Sequence, residues 1–176
     1  MRTSSILSVL LLTGTLASCG RDAPTAAEQD PLPQLARSAA ACQNISGTVD
    51  ARFLSDAERS ALPAYAAGAD IAGTLFDRTG TPLGEAYAWI DDLRQAGGGS
   101  IHLAMRHRYV IGGSLLDTDD RGVLAPVSSP LYRFNNRLEI VGGTGAYAVA
   151  TGFISAHGTV VLGGAIELQY HGRLCA

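Results

Sequence analysis

The residues best equipped for chemistry lie on two stretches of this chain. Along Ile101 to Ile111, the apolar residues Ile101, Leu103, Met105, Tyr109 and Ile111 occupy alternate positions, and His107 falls on the same face. His102, Arg106 and Arg108 point the other way. His107 is therefore the one histidine expected inside the fold or at its mouth. There an imidazole is either a core group satisfied by a hydrogen bond or a contact for a ligand or a moving proton. His171 shares its face with Glu167, Gln169 and Arg173 and reads as solvent-facing. On the second stretch Glu85, Tyr87, Trp89 and Asp91 share one face, while Ala86, Ala88 and Ile90 share the other. Turned inward, Glu85 would be a carboxylate between a phenol and an indole, a setting suited to general acid–base work. Turned outward, the aromatics form an interaction patch. The alternation does not choose between the two.

Other spacings fall short of the chemistry they suggest. Gly143, Gly145 and Ala148 match a dinucleotide fingerprint, but that motif needs a helix directly after the turn so that its N-terminus can receive a pyrophosphate. Gly152 cuts such a helix to about two turns, and a β-branched, glycine-punctuated run follows. Gly142, Gly143, Gly145 and Gly152 instead read as a tight corner between two strands. Asp117, Asp119 and Gly122 keep part of a calcium-loop spacing, yet Arg121 and Ser128 stand where the loop needs an acidic or amide group and a bidentate glutamate. The stretch Asp119 to Gly122 is expected to be an ordinary turn. No histidine pair has metal-ligand spacing, and no serine sits in a Gly-x-Ser-x-Gly elbow. Neither metal nor cofactor is expected.

The elements that must position these residues are strands. Between Asn44 and Phe53, Ile45, Gly47, Val49, Ala51 and Phe53 alternate with polar residues. Ser55 to Glu58 is a capping-box pattern, and Pro63 limits its helix to about two turns, an excursion between strands. Further strands are expected over Asp70 to Asp77, Gly84 to Asp92, Gly98 to Ile111, Leu115 to Val127, Leu131 to Val141, Thr151 to Val161 and Ala165 to Leu174. Turn residues cluster at Arg78 to Pro82, Gln95 to Gly99, Asp119 to Gly122 and Gly163–Gly164. About eight short-linked strands with hardly any helix give an all-β, antiparallel up-and-down barrel, because closure removes the sheet edges. The inward faces mix small residues (Gly47, Ala51, Gly73) with large ones (Phe53, Leu75, Met105, Tyr109). Such a mix either interdigitates or leaves room for one small molecule, and the filling habit of small barrels favours a packed interior. Any cavity is expected to be apolar, with His107 in contact with it.

The domain occupies residues 42–176. Ahead of it, Met1 to Ser18 reads as an export signal, with Arg2, an apolar run from Ile6 to Leu12, and then small residues. Leu16-Ala17-Ser18-Cys19 resembles a bacterial lipobox, which implies that Cys19 is acylated with palmitate-type chains and anchors the protein to membrane lipid. Gly20, rather than Asp, after that cysteine favours the outer membrane, with the protein facing the periplasm. Residues 20–41 carry Pro24, Pro31 and Pro33 and no hydrophobic period, as a tether would. Export leaves Cys42 and Cys175 for an oxidising compartment. In an even-numbered antiparallel barrel the start of the first strand lies beside the end of the last, so these two are expected to form a disulfide. All thirteen basic residues are arginine, against sixteen acidic ones. Losing Arg2 with the leader leaves twelve against sixteen, a balance of −4. Nucleic acid is not an expected partner.

From Ile140 to Gly152 and on to Tyr170-His-Gly-Arg-Leu-Cys175, the chain resembles the C-terminal half of the allene oxide cyclase-like and dirigent-like β-barrel families, and among them uncharacterised bacterial secreted proteins. The likeness reaches back to about Asp117 and covers about a third of the chain. It implies a barrel and, by analogy with the plant members, a homo-oligomer. It also implies either an isomerase or cyclase acting on an unsaturated lipid epoxide or a protein that orients reactive phenolics. The residues by themselves favour a lipid-anchored envelope barrel that binds a small apolar ligand or an envelope partner. His107, Glu85, Tyr87, Trp89 and Tyr109 are the candidate contacts.

Overall fold

The structure, a computed structural model, describes residues 41–176; the leader, Cys19 and the tether up to residue 40 lie outside the described residues. Eight strands run in sequence order: β1 (Cys42–Phe53), β2 (Ile71–Asp77), β3 (Pro82–Gln95), β4 (Ile101–Ile111), β5 (Ser114–Ser128), β6 (Leu131–Gly143), β7 (Thr151–Val161) and β8 (Ala165–Cys175). Each pairs antiparallel with the next, and β1 pairs with β8 to close the barrel. The last register pair of that seam is Cys42 with Cys175, and the two form the expected disulfide. In the chain-entropy model, closing a loop of this length contributes about 5 kcal/mol.

The helical excursion after β1 is short. Helix α1 (Asp56–Ser60) starts on a complete capping box, in which the Ser55 side chain accepts from the Glu58 backbone and the Glu58 carboxylate accepts from the Ser55 backbone. A 3₁₀ turn, Ala64–Ala66, follows before β2. Two turns differ from the sequence expectation. β4 starts at Ile101 rather than Gly98, because Gly97–Gly99 form a 3₁₀ turn in which Gly98 and Gly99 take φ of 72° and 77°. β3 correspondingly runs on to Gln95. Asp119 to Gly122 is not a turn: it lies inside β5, and the β4–β5 hairpin turns at Gly112–Gly113, both at positive φ, in the gap between the expected strands. Leu116, Thr118, Asp120, Gly122 and Leu124 are all buried along β5, so the alternation of a half-buried strand overrode the turn-type residues. Gly122 is needed for space, since a Cβ there would stand 2.5 Å from the Phe134 ring.

The glycine corner joins β6 to β7 through a 3₁₀ turn, Gly145–Tyr147. It is tied back to the start of β5: the Thr144 amide donates to the Leu115 carbonyl (2.8 Å), and the Leu115 amide donates to Thr144 Oγ1 (3.1 Å). A Cβ on Gly143 would collide with that same Leu115 carbonyl. With no helix beyond three residues there, the corner has no place to seat a pyrophosphate.

Candidate functional site

The interior is not packed solid. A cavity of about 680 Å³ runs through the barrel, from Gln43, Asn44 and the Asp77–Thr79 turn at one end to Phe53, Leu93 and Leu162 at the other. Its wall is mostly apolar, as expected of any cavity here, and His107 lines it. The physical reason it stays open lies in the register. Ala51 pairs with Gly73, Gly73 with Ala86, and Ala88 lies one inward position further along β3. The small residues thus form a contiguous band on β1–β3, where the wall projects little side-chain volume into the lumen.

The polar groups of the interior come from three adjacent strands. His107 on β4 places Nδ1 3.0 Å from Asp120 Oδ1 on β5, and Asn136 Nδ2 on β6 donates to Asp120 Oδ2 at 3.0 Å. The Asp120 side chain is fully buried and that of His107 is 13 % exposed. An ionised carboxylate accepts only, so Asp120 fixes His107 with a proton on Nδ1 and Asn136 with its amide nitrogen toward β5. Asn136 Oδ1 and Thr118 Oγ1 are buried without a hydrogen-bond partner among the described residues. Tyr109 stacks parallel to His107, centroids 6.0 Å apart, and burial with the nearby Asp120 charge pushes its phenol well above the ordinary range.

This polar patch interrupts two apolar clusters. Along β4 the order is Tyr109, His107, Met105; along β5 it is Leu116, Thr118, Asp120, Gly122, Leu124; along β6 it is Leu138, Asn136, Phe134. Tyr109, Leu116 and Leu138 belong to one buried cluster, and Met105, Leu124 and Phe134 to the other. Apolar side chains thus flank this patch on both sides along the lumen, and polar groups return only at the Gln43, Asn44 and Asp77 end.

The second candidate stretch lies elsewhere. Ala86, Ala88 and Ile90 face the lumen, so Glu85, Tyr87 and Trp89 are on the outer wall, and Glu85 is not an interior carboxylate. Nor are the aromatics a bare patch, because the excursion between β1 and β2 covers them. Tyr87 packs against Ala66 and Ala69, Trp89 Nε1 donates to the Ala67 carbonyl at 3.0 Å, and Tyr65 and Tyr87 both donate to Glu85 Oε2. Burial and that bond to Glu85 push the Tyr87 phenol far up. The structure thus unites His107 and Tyr109 and separates them from Glu85, Tyr87 and Trp89. Asp120 and Asn136 were missed by sequence reasoning. The signal for Asp120 was its place in the Leu116–Leu124 alternation, hidden by the turn-like residues around it.

No protein-family model and no curated protein matches the chain. Among solved structures, it is similar to that of the pterocarpan synthase dirigent protein GePTS1, with 16 % identity over 77 % of this chain and 85 % of that one, at a TM-score of 0.44. The closed eight-stranded antiparallel barrel fits the fold implied by the resemblance to the allene oxide cyclase-like and dirigent-like families.

Proposed function

We propose that this chain is a lipid-anchored protein of the cell envelope whose barrel takes up one small apolar molecule. The observation that supports this reading is the lumen itself: about 680 Å³, walled mostly by apolar side chains and opening at one end on the polar rim of Gln43, Asn44 and Asp77, within the size range of small-molecule sites. Binding there removes ligand hydrocarbon from water at about 25 cal/mol per Å², and the preformed wall limits the ordering cost. Native mass spectrometry of the purified protein is expected to show a co-purified small molecule. The neutral dye phenylnaphthylamine is expected to brighten on entry. Ala88→Phe, which fills the lumen from β3, is expected to abolish dye uptake while leaving thermal unfolding cooperative. A barrel that takes up neither ligand nor dye refutes the reading.

A second reading has one observation in its favour. The His107–Asp120 pair, with the imidazole at the cavity wall, has the arrangement of a base and the group that orients it. On this reading the bound molecule is isomerised or cyclised, as an allene oxide cyclase-like protein would act on an unsaturated lipid epoxide; a dirigent-like protein would instead orient reactive phenolics in the same lumen. Turnover of such a compound by the wild type, lost in His107→Ala with dye uptake retained, distinguishes an enzyme from a carrier.

A further inference from the structure

We infer that the lumen loads and empties through one of its two mouths, the one ringed by Phe53, Leu93 and Leu162, and not through the polar rim at the other end. The inference rests on the proposed lumen binding and assigns its route.

Strand order places the two mouths. Phe53 ends β1, Leu93 lies near the end of β3 and Leu162 follows β7, so all three stand at one end of the barrel. Near the start of β1 lies Gln43, the Asp77–Thr79 turn closes β2, and Tyr147 lies in the corner after β6, all at the opposite end. At the first mouth every residue that reaches the cavity is apolar, and Leu93 and Leu162 are 53 % and 39 % exposed. An apolar molecule arriving there covers exposed hydrocarbon at once. It then meets Ile101, Leu103 and Met105, so each step inward removes more apolar surface from water.

At the second mouth the first contacts are the amides of Gln43 and Asn44, the Arg78 guanidinium and the Asp77 carboxylate. Bonds from Thr79 and Thr81 hold that carboxyl below its usual range, so it stays charged at neutral pH. Among the described residues, Leu83 is the single exposed large hydrophobic group lining this end. Hydrocarbon that covers such groups displaces their water and returns no hydrogen bond, which raises the barrier on this path. The polar end is also tied across. The Cys42–Cys175 bond closes the β1–β8 seam there, and the Tyr170 hydroxyl donates to the Phe76 carbonyl at 3.0 Å, holding β8 to β2. The apolar mouth is framed instead by the β3–β4 and β7–β8 hairpins. A Cβ on Gly98 or Gly163 would meet nothing within 4 Å, so no neighbouring segment packs on that side of either tip.

Entry and release of phenylnaphthylamine, followed by stopped-flow fluorescence on the purified full chain with detergent alone as blank, read the route. Leu93→Cys and Leu162→Cys, each carrying a bulky maleimide, are expected to slow both rates alike by about tenfold at unchanged affinity, because a blocked doorway raises one barrier crossed in both directions. The same label on Arg78→Cys, at the polar mouth, is expected to leave both rates as in wild type treated with the maleimide. All three positions are exposed, and cooperative thermal unfolding checks that each variant folds. Slowing by the Arg78→Cys label instead, equal slowing from both mouths, slowing from neither, or a loss of affinity at unchanged entry rate overturns the route while leaving lumen binding intact. Failure of the dye to enter the unlabelled wild type overturns both.

Discussion

At the scale of single residues, the least expected feature is a fully buried carboxylate in an otherwise apolar barrel. Burying the Asp120 carboxyl is expensive unless it is hydrogen-bonded, and His107 Nδ1 and Asn136 Nδ2 both lie 3.0 Å from its oxygens. Removing the carboxylate leaves the imidazole N–H and the amide N–H without an acceptor. Asp120→Ala is therefore expected to destabilise the fold by about 2–5 kcal/mol, read as a lower urea midpoint at unchanged m-value. A change within about 0.5 kcal/mol, the size of a surface substitution, contradicts the pairing. Apolar residues at all three positions would satisfy the core equally well, since replacing a buried ionic cluster by packed hydrocarbon is often neutral or stabilising. Stability alone thus gives no reason for the patch.

At the scale of elements, the excursion between β1 and β2 covers the outer aromatics of β3, and two ion pairs, Arg52–Glu58 and Arg59–Asp70, help to hold it. Arg52 at the end of β1 donates to Glu58 Oε1, and the Ser55 amide and hydroxyl donate to Oε2 at 2.9 and 2.7 Å. The Arg52 contact, followed by the Ser55 bonds, holds the Glu58 carboxyl down at about 2. A depressed acid stabilises the fold fully above its unfolded pKa, near 4.3, and loses that contribution as pH falls through its folded value. The excursion is therefore expected to loosen between about pH 4 and 2 and not at higher pH. Carboxyl NMR should find Glu58 titrating near 2, with Arg52→Ala returning it toward the ordinary range; an ordinary midpoint in the wild type contradicts this. Much of this level was legible in the sequence, because the capping box, the strand alternation and the face carrying His107 are local patterns. The face of β3 was not legible. Both its sides alternate cleanly, and the choice depends on Ala66 and Ala69 arriving from a non-local segment to cover Tyr87. The open lumen was likewise out of reach, because whether small residues are met by large ones depends on cross-strand register and not on order along any one strand.

At the scale of the whole molecule, the outer wall decides how the protein can meet a membrane. A barrel that sits in lipid turns an apolar band outward. Here the outward positions of β6 are Arg133, Asn135, Arg137 and Glu139, and those of β8 are Glu167, Gln169, His171 and Arg173, all exposed. Charged groups at that density keep the outer face of these two strands in water, so any attachment to a membrane would come through another part of the molecule. The lipobox-like Leu16-Ala-Ser-Cys19 supplies the proposed means, several acyl chains on one residue at about 0.8 kcal/mol per buried CH₂. Such an anchor joins the barrel at Cys42, beside Cys175 and at the same end as the polar rim of Gln43, Asn44 and Asp77. If Cys19 alone holds the protein to the membrane, Cys19→Ala should move it entirely from the membrane fraction to the soluble fraction of the envelope. Dye uptake and the Cys42–Cys175 bond should be unchanged, since neither involves the anchor. Wild-type protein found soluble with an unmodified Cys19 thiol contradicts the anchor, and a Cys19→Ala protein still sedimenting with membranes shows that another surface binds them.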